Sequence, residues 1–487
     1  MSLNYPFRLR VVIIGGGFSG ATLAWQLAEE QVPVRISVVE PRPELGRGLA
    51  YSSGEPCHRI NVPAHRMTMQ PERPEDFMHW LVRGRASGRL ETDPEEITLQ
   101  GEHFPRREIF GRYVAERLAP HLQSGRIRHH RARVADLAKA IDGSFELMLS
   151  DDSRIRGDIL VLATGHPPTA LPRPLAELRD RPQLIGEADD PARIASLGKD
   201  ARVLILGAGL GSADVVARLD RQGHEGPITC LSRHGLRSRG HVPAGGESRA
   251  DFTDPPIRRA SKLLRRVRDA VVDDEAQGQD WHATFHRLRA QGAQIWAGLD
   301  QCNRARLLRH LRTLWDVHRY RLAPQVEAVL ERRIVEGKLS YVAGRLVEVE
   351  GQGATVRVSW RPRGGNAAEQ ADFDAVINTT GPAQGRTIES NPALWALARL
   401  GLIAPDPLGL GLATSQTCQA VDAAGMANPR ILIAGPLARG HLGELVGAPE
   451  CAAQVGAIAR EIARQALLVP ILRPVIVSTG GATANPT

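Results

Sequence analysis

The sequence predicts an α/β protein made of two similar strand–turn–helix–strand units, one inserted within the other. Three observations carry that expectation. "VVIIGGGFSGATLA" (11–24) and "VLILGAGLGSADVV" (203–216) are both apolar runs that break into glycines and then resume. "DILVLATGHPP" (158–168) and "DAVINTTGP" (374–382) form a second pair, each an apolar strand running into Thr-Gly. The chain has 487 residues, more than one hydrophobic core fills, so two domains are expected.

Taken in order, residues 11–14 are β-branched and apolar, as a buried strand requires. "ATLAWQLAEE" then repeats apolar positions at helical spacing, and "VRISVVE" returns as a strand ending in Glu40. A second such unit spans 202–233 and closes on "PITCLSRHG". The strand at 158–168 runs into prolines, marking a crossing between domains. Residues from about 250 to 340 are helical and Arg-rich, as in "RRASKLLRRVRDAV" and "NRARLLRHLRTLWDVHRYR". Short strands follow in "GRLVEVEG", "ATVRVSW" and "RILIAGP", and the tail from Val475 reads as a frayed end. The expected division is one domain at 1–195 and 371–487, and a second at 196–370 carrying the helical insert.

Gly15, Gly17 and Gly20 form G-x-G-x-x-G between a strand and a helix, with Phe18 and Ser19 inside the turn. The first glycine allows the tight turn, the second lets a pyrophosphate approach, and the third lets helix pack on strand. The helix N-terminus offers unpaired N–H groups to phosphate. Glu40, at the end of the next strand, is placed to accept ribose hydroxyls. Gly207, Gly209 and Gly211 repeat the turn, with Ser212 as the small residue in the third position. There the following strand ends in Ser232–Arg233–His234, and a cation suits a 2′-phosphate. The pattern is that of two Rossmann-type dinucleotide-binding domains, the first expected to hold FAD and the second NADPH in preference to NADH.

"GRGLAYSSGEPCHRINVPAHRMTMQPERPEDFMHWL" (46–81), "FPRREIFGRYV", "LSRHGL", "WDVHRYRLAP" and "AGPLARGHLGEL" resemble one family of FAD/NAD(P)-binding proteins. It includes bacterial FAD-dependent urate hydroxylases and L-aspartate N-monooxygenases. More distantly, "INVPAHRMTMQPERPEDF" is similar to a stretch of two-Rossmann flavin monooxygenases whose Asn sits beside the reactive flavin carbon. The resemblance implies an NAD(P)H- and O₂-dependent FAD monooxygenase acting on a small, polar, anionic substrate. Urate is the leading candidate, with N-hydroxylation of an amino acid or amine next. The other readings are an NAD(P)H dehydrogenase passing electrons to a quinone or protein, and a non-enzymatic redox-sensing flavoprotein. Carried over, the catalytic Asn is Asn61; a neutral amide can hold activated oxygen by hydrogen bonds without delivering a proton. The bland alternative is a turn-forming Asn before Val62–Pro63. His65 is a candidate proton shuttle and Arg66 a candidate partner for an anionic substrate. Thr164 and Gly165 match the A-T-G stretch that passes close to FAD, and Gly381 marks its counterpart in the second domain. At "RILIAGP", Gly435–Pro436 stands where many FAD folds carry Gly-Asp, so the ribityl contact of that acid does not carry over. His318 and Arg319 are candidate walls of a substrate pocket, set against the plainer reading of a Trp315-anchored surface helix.

The formal charge is +8, but only four of the 62 basic residues are lysine and the arginines are interleaved with acids. Nucleic-acid binding is therefore not expected. The five cysteines lack metal or dithiol spacing, so no metal site is expected and a reduced, cytoplasmic setting is. No run of membrane-spanning length occurs. Phosphate-loop, zinc-protease and nucleophile-elbow motifs are all missing.

Overall fold

The computed structural model describes residues 7, 9–187, 190–242 and 246–468; the expected frayed tail from Val475 lies outside them. Among the described residues, sixteen strands are formed in chain order. They are β1 (Leu9–Ile14), β2 (Val34–Val39), β3 (Ile127–His130), β4 (Val134–Lys139), β5 (Phe145–Leu149), β6 (Arg154–Gly157), β7 (Ile159–Leu162) and β8 (Leu184–Ile185), then β9 (Val203–Leu206), β10 (Ile228–Ser232), β11 (Leu339–Gln352), β12 (Thr355–Pro362), β13 (Glu369–Phe373), β14 (Ala375–Asn378), β15 (Gln419–Val421) and β16 (Ala427–Ile433).

The first sheet runs β15-β16-β7-β1-β2-β3, parallel except for the edge strand β15. β1 and β7 are apolar throughout their centres because both faces are covered. The helices Phe18–Glu29 and Ala448–Leu468 pack on one face, and the antiparallel meander β4-β5-β6 covers the other. The second sheet runs β13-β12-β11-β10-β9-β14-β8, parallel from β11 to β8 and antiparallel beyond. β11 serves both halves: Leu339–Ala343 pair with β10, and the rest pairs with β12. This confirms the α/β class and the two inserted Rossmann-type units.

The domain boundaries differ from those expected. β8 and β14 both join the second sheet, so that sheet draws on residues 184–378 rather than 196–370. The strand before Thr379 closes the second sheet just as β7 closes the first, which a linear reading assigned to the returning domain. The insert is also shorter than 250–340. Its helices run from Ala260 to Arg319, whereas Pro324–Val335 packs against Leu210–Arg221 as the ordinary crossover between β10 and β11.

The two units share one construction. Gly15 (φ +103) donates its N–H to the Val39 carbonyl, and a Cβ there would lie 2.4 Å from the Ala163 oxygen. Gly207 (φ +129) donates to the Leu231 carbonyl, and its Cβ would lie 2.3 Å from Thr379 Oγ1. Arg10 pairs Asp158 through its backbone N–H, Nε and Nη2, and Arg202 pairs Asp374 through the same three groups. Each pair ties the first strand of its unit to the strand that returns beside it.

Gly20 would place a Cβ 2.0 Å from the Gly15 carbonyl oxygen, with Ile13 behind it. Gly20→Val should therefore lower stability to chemical denaturation by about 1–3 kcal/mol, with or without added cofactor.

Candidate functional site

The first glycine turn divides its labour as the spacing predicts. Gly15 and Gly20 are crowded by backbone, but a Cβ on Gly17 would meet nothing nearer than Gly48 Cα at 3.7 Å. Gly17 thus faces open space at the head of helix Phe18–Glu29, whose first turn has no side-chain cap. Unspent N–H groups around an open approach fit a pyrophosphate. Glu40 is 5% exposed; one oxygen accepts the Gly16 N–H at 2.9 Å and the other faces Arg42. Each carboxylate oxygen keeps acceptor capacity for a ribose hydroxyl.

Thr164 passes directly behind Gly15, and Gly165 (φ +74) turns the chain into open space. Gly435 (φ +70) meets Ser19, its Cβ position lying 2.5 Å from Ser19 Oγ. Phe18, by contrast, packs against Tyr51 and Phe110. The Gly435 N–H is spent on Gln454 Oε1 at 2.7 Å, so Pro436 and its neighbours can offer only later backbone groups.

At the second turn Gly209 is open and Gly211 lies near Thr379, while Ser212 is buried and bonds the Gly209 carbonyl at 2.7 Å. Arg233 is exposed at the end of β10 and has no partner among the described residues. Arg363, at the end of β12, adds charge beside it: Arg363 and Arg233 both depress the His234 pKa after its partial burial does. Sequence reasoning missed Arg363, which arrives from a strand hairpin 130 residues away. Gly381 (φ +85) is open.

The Asn61 loop is held from beneath. Arg59 is buried and bonds Asp93, Glu95 and the Phe104 carbonyl. Ile60 and Ala64 donate N–H groups to the Pro105 and His103 carbonyls. The Asn61 side chain makes no hydrogen bond among the described residues, which leaves its amide unspent. Its carbonyl accepts from His241 Nε2 at 3.1 Å. Burial lowers the His241 pKa to about 4, so the ring is neutral near pH 7.

Two further bonds set this loop against the second domain. Arg107 joins the Arg59 carbonyl to Asp214 at 2.8–3.0 Å, and Arg218 pairs Glu55 at 2.5 Å. Asp214 and Arg218 belong to the helix Leu210–Arg221 that opens at the second glycine turn. The second glycine turn and the Asn61 loop are thereby fastened to one another.

Three expected residues do other work. His65 pairs Glu102 at 3.2 Å in a half-exposed position. Arg319 is locked by Glu444 at 2.9 Å and Glu450 at 3.3 Å, its charge already satisfied. His318 bonds the Leu314 carbonyl and packs on Trp281 and Phe285, inside an apolar wall. The helix bearing them is a structural wall, because tertiary acids that the sequence could not place have claimed its cation.

Arg321, two positions on, differs. It is 8% exposed, bonds His286 Nε2 at 2.8 Å and the His318 carbonyl at 3.2 Å, and lies over Trp281. No carboxylate pairs it within 4.0 Å among the described residues. Burial and the like charges of Arg319, Arg289 and Arg66 lower its pKa to about 10, so it stays charged at neutral pH. Exposed Arg66 and Arg321 both act on His241, which places two cations beside the Asn61 loop.

Residues 12–167 match the family model described as FAD-NAD(P)-binding. An uncharacterized Escherichia coli (strain K12) protein, YdhS, is 23% identical over 163 residues, which span 32% of this chain and 30% of that relative. The chain thus matches less than a third of that curated relative's length. Among solved structures, L-lysine 6-monooxygenase from Pseudomonas syringae is 18% identical, with 94% of this chain and 99% of that one covered at a TM-score of 0.64. Ornithine N-hydroxylase from Kutzneria sp. 744, solved with reduced FAD, NADP⁺ and L-ornithine, is 16% identical at a TM-score of 0.61 over 94% and 100%. These likenesses establish the two-Rossmann fold over nearly the whole chain.

All five cysteines are free, and burial raises the Cys230 and Cys451 thiols to about 12. No cluster of His, Cys, Asp or Glu suited to a metal occurs among the described residues. No described helix is long and apolar enough to cross a membrane.

Gly17→Val should leave the denaturation midpoint of the cofactor-free chain nearly unchanged while cutting FAD uptake by tenfold or more, because its added atoms fill the open approach. Arg233→Ala should raise KM for NADPH roughly tenfold with little change for NADH, measured by steady-state oxidation of each.

Proposed function

We propose that the chain is an FAD-dependent NAD(P)H:O₂ monooxygenase that hydroxylates a small nitrogen-containing substrate bearing an anionic group. What supports the reading most is the unspent Asn61 amide, on a loop fastened to the second turn's helix, with Arg66 and the unpaired Arg321 beside its His241 partner. The family match and the FAD- and NADP⁺-bound structural neighbour support the two cofactors. Neighbours that hydroxylate ornithine or act on lysine favour nitrogen of an amino acid or amine as the oxidised atom. Urate, ranked first by the sequence resemblance, becomes the comparison substrate.

Residues of the first turn, with Glu40, Thr164 and Gly435–Pro436, would hold FAD; those of the second turn, with Arg233, would hold the nicotinamide cofactor. Bound and reduced, the flavin supplies the oxygen-activating chemistry. Asn61 offers a neutral hydrogen-bond donor where that oxygen must be kept from water, and His241 fixes its backbone. Arg321 and Arg66 would orient the substrate by its anionic end, leaving the nitrogen toward Asn61.

The test follows NADPH oxidation, oxygen uptake, peroxide and product together, with amino acids, matched amines lacking the carboxylate, and urate. Substrate-stimulated oxidation with little peroxide and a hydroxylated amine is the expected outcome; urate turnover would move the reading to ring hydroxylation. Fast turnover with a quinone and no substrate-linked oxygen uptake would overturn it. Asn61→Ala should keep NADPH-driven cofactor reduction while diverting most oxygen to peroxide. Arg321→Gln should raise KM for the acidic substrate about tenfold or more, with kcat much less affected.

A further inference from the structure

The helical insert contains a cavity that the proposed reaction does not use. About 580 Å³ of space lies between helices Ala260–Ala276, Trp281–Ala290 and Arg312–Arg319, walled by Leu263, Val267, Phe285, Leu307 and Trp315 among others. Its size falls within the range of small-molecule sites, which are largely apolar with a few placed polar groups. The mouth is greasy as well: Val272 is 63% and Leu314 43% exposed. An apolar cavity of this size left open to water is costly unless something fills it.

The returning first domain contributes Arg439 and Glu444 to the cavity wall. Arg439 lines it and is only 8% exposed, yet has no hydrogen bond or ion pair from its side chain among the described residues. The nearby acids are otherwise engaged. Glu444 pairs Arg319 and accepts from the Trp315 indole, and Asp316 pairs Arg312 at 3.4 Å. His166, beside Arg439, is held neutral near pH 7 by burial and the adjacent arginines. Asp316 acts on Arg439 only from beyond ion-pair distance, and a buried guanidinium with no direct partner gains from an anion placed against it.

We propose that this cavity binds an apolar carboxylate, its hydrocarbon or aryl body between the insert helices and its carboxylate on Arg439. Neither Arg321 nor Arg66 lines the cavity, which shares with them only the Trp281 and His318 wall, and the site stands whether or not the substrate reading holds. Its walls are fixed in place, since Trp296 donates to the Gly440 carbonyl and Arg289 pairs Glu450 across the same junction. Carboxylate recognition by one guanidinium explains why an unpaired cation is kept in the wall of a largely apolar pocket.

The experiment is calorimetric titration of the full FAD-loaded chain with decanoate and, separately, with decanol, while tryptophan emission is followed. Trp281, Trp296 and Trp315 line the cavity and report occupancy directly. One decanoate per chain, bound at least about tenfold tighter than decanol, is expected. Arg439→Gln should abolish that preference and leave decanol binding unchanged; Arg439→Lys should restore part of it. Val267→Phe, which fills the cavity, should weaken both ligands. Absence of decanoate binding to the wild-type chain overturns the proposal, as does equal decanoate affinity in a folded Arg439→Gln. Should Arg439→Gln fail to fold by circular dichroism, the wild-type preference for decanoate and the weaker binding of both ligands by Val267→Phe decide the matter: both present sustain the site, either absent overturns it.

Discussion

The structure depends on a close approach made twice: a glycine turn pressed against the strand that returns beside it. Gly15 lies against Ala163 and Gly207 against Thr379, at separations where no side chain could intervene. That contact aligns the helix N-terminus, the open middle glycine and the end of the next strand at one edge of each sheet. The alignment would drift without a lock on strand register, which Arg10–Asp158 supplies in one unit and Arg202–Asp374 in the other. Both pairs are bidentate, a geometry that fixes direction as well as distance.

Placing two such edges against each other is a separate problem, solved by charge. Arg107–Asp214 and Arg218–Glu55 join the second unit's helix to the loop preceding Asn61, and the Arg218 side chain is almost fully buried. Arg289 and Arg319 then fasten the insert to Glu450 and Glu444 of the returning domain. Part of the arginine content is thus structural. A planar, multiply donating cation can tie elements from different domains, which a lysine on a flexible stem does less well. Arg321, Arg66, Arg233 and Arg439 carry no ion pair within 4.0 Å among the described residues, and of these Arg321 and Arg439 are also buried.

Much of this was legible along the chain. The glycine spacing located both turns, Glu40 and Arg233 marked the two strand ends, and the Thr-Gly pairs announced the returning strands. The bounds of the insert and of the second domain were less legible. β14 belongs to the second sheet only because its backbone pairs with β9, and Pro324–Val335 is a crossover only because it lies on Leu210–Arg221. Hydrophobic pattern gives an element's type, while its neighbours are set by contacts far apart in sequence. The same reason separates Arg319 from Arg321. Two residues apart and alike in composition, one meets two glutamates and the other meets a histidine and a carbonyl.

By itself, then, the sequence determined the two turn–helix units and the atoms that can face a dinucleotide, since those follow from glycine sterics and helix N-termini within about 30 residues. Tertiary structure decided which charges are free. An arginine's availability depends on whether an acid from another element reaches it, and burial sets how strongly it needs one. His65 and Arg319 were claimed in that way, whereas Arg321, His241 and Arg439 acquired significance only from what folding placed, or failed to place, beside them.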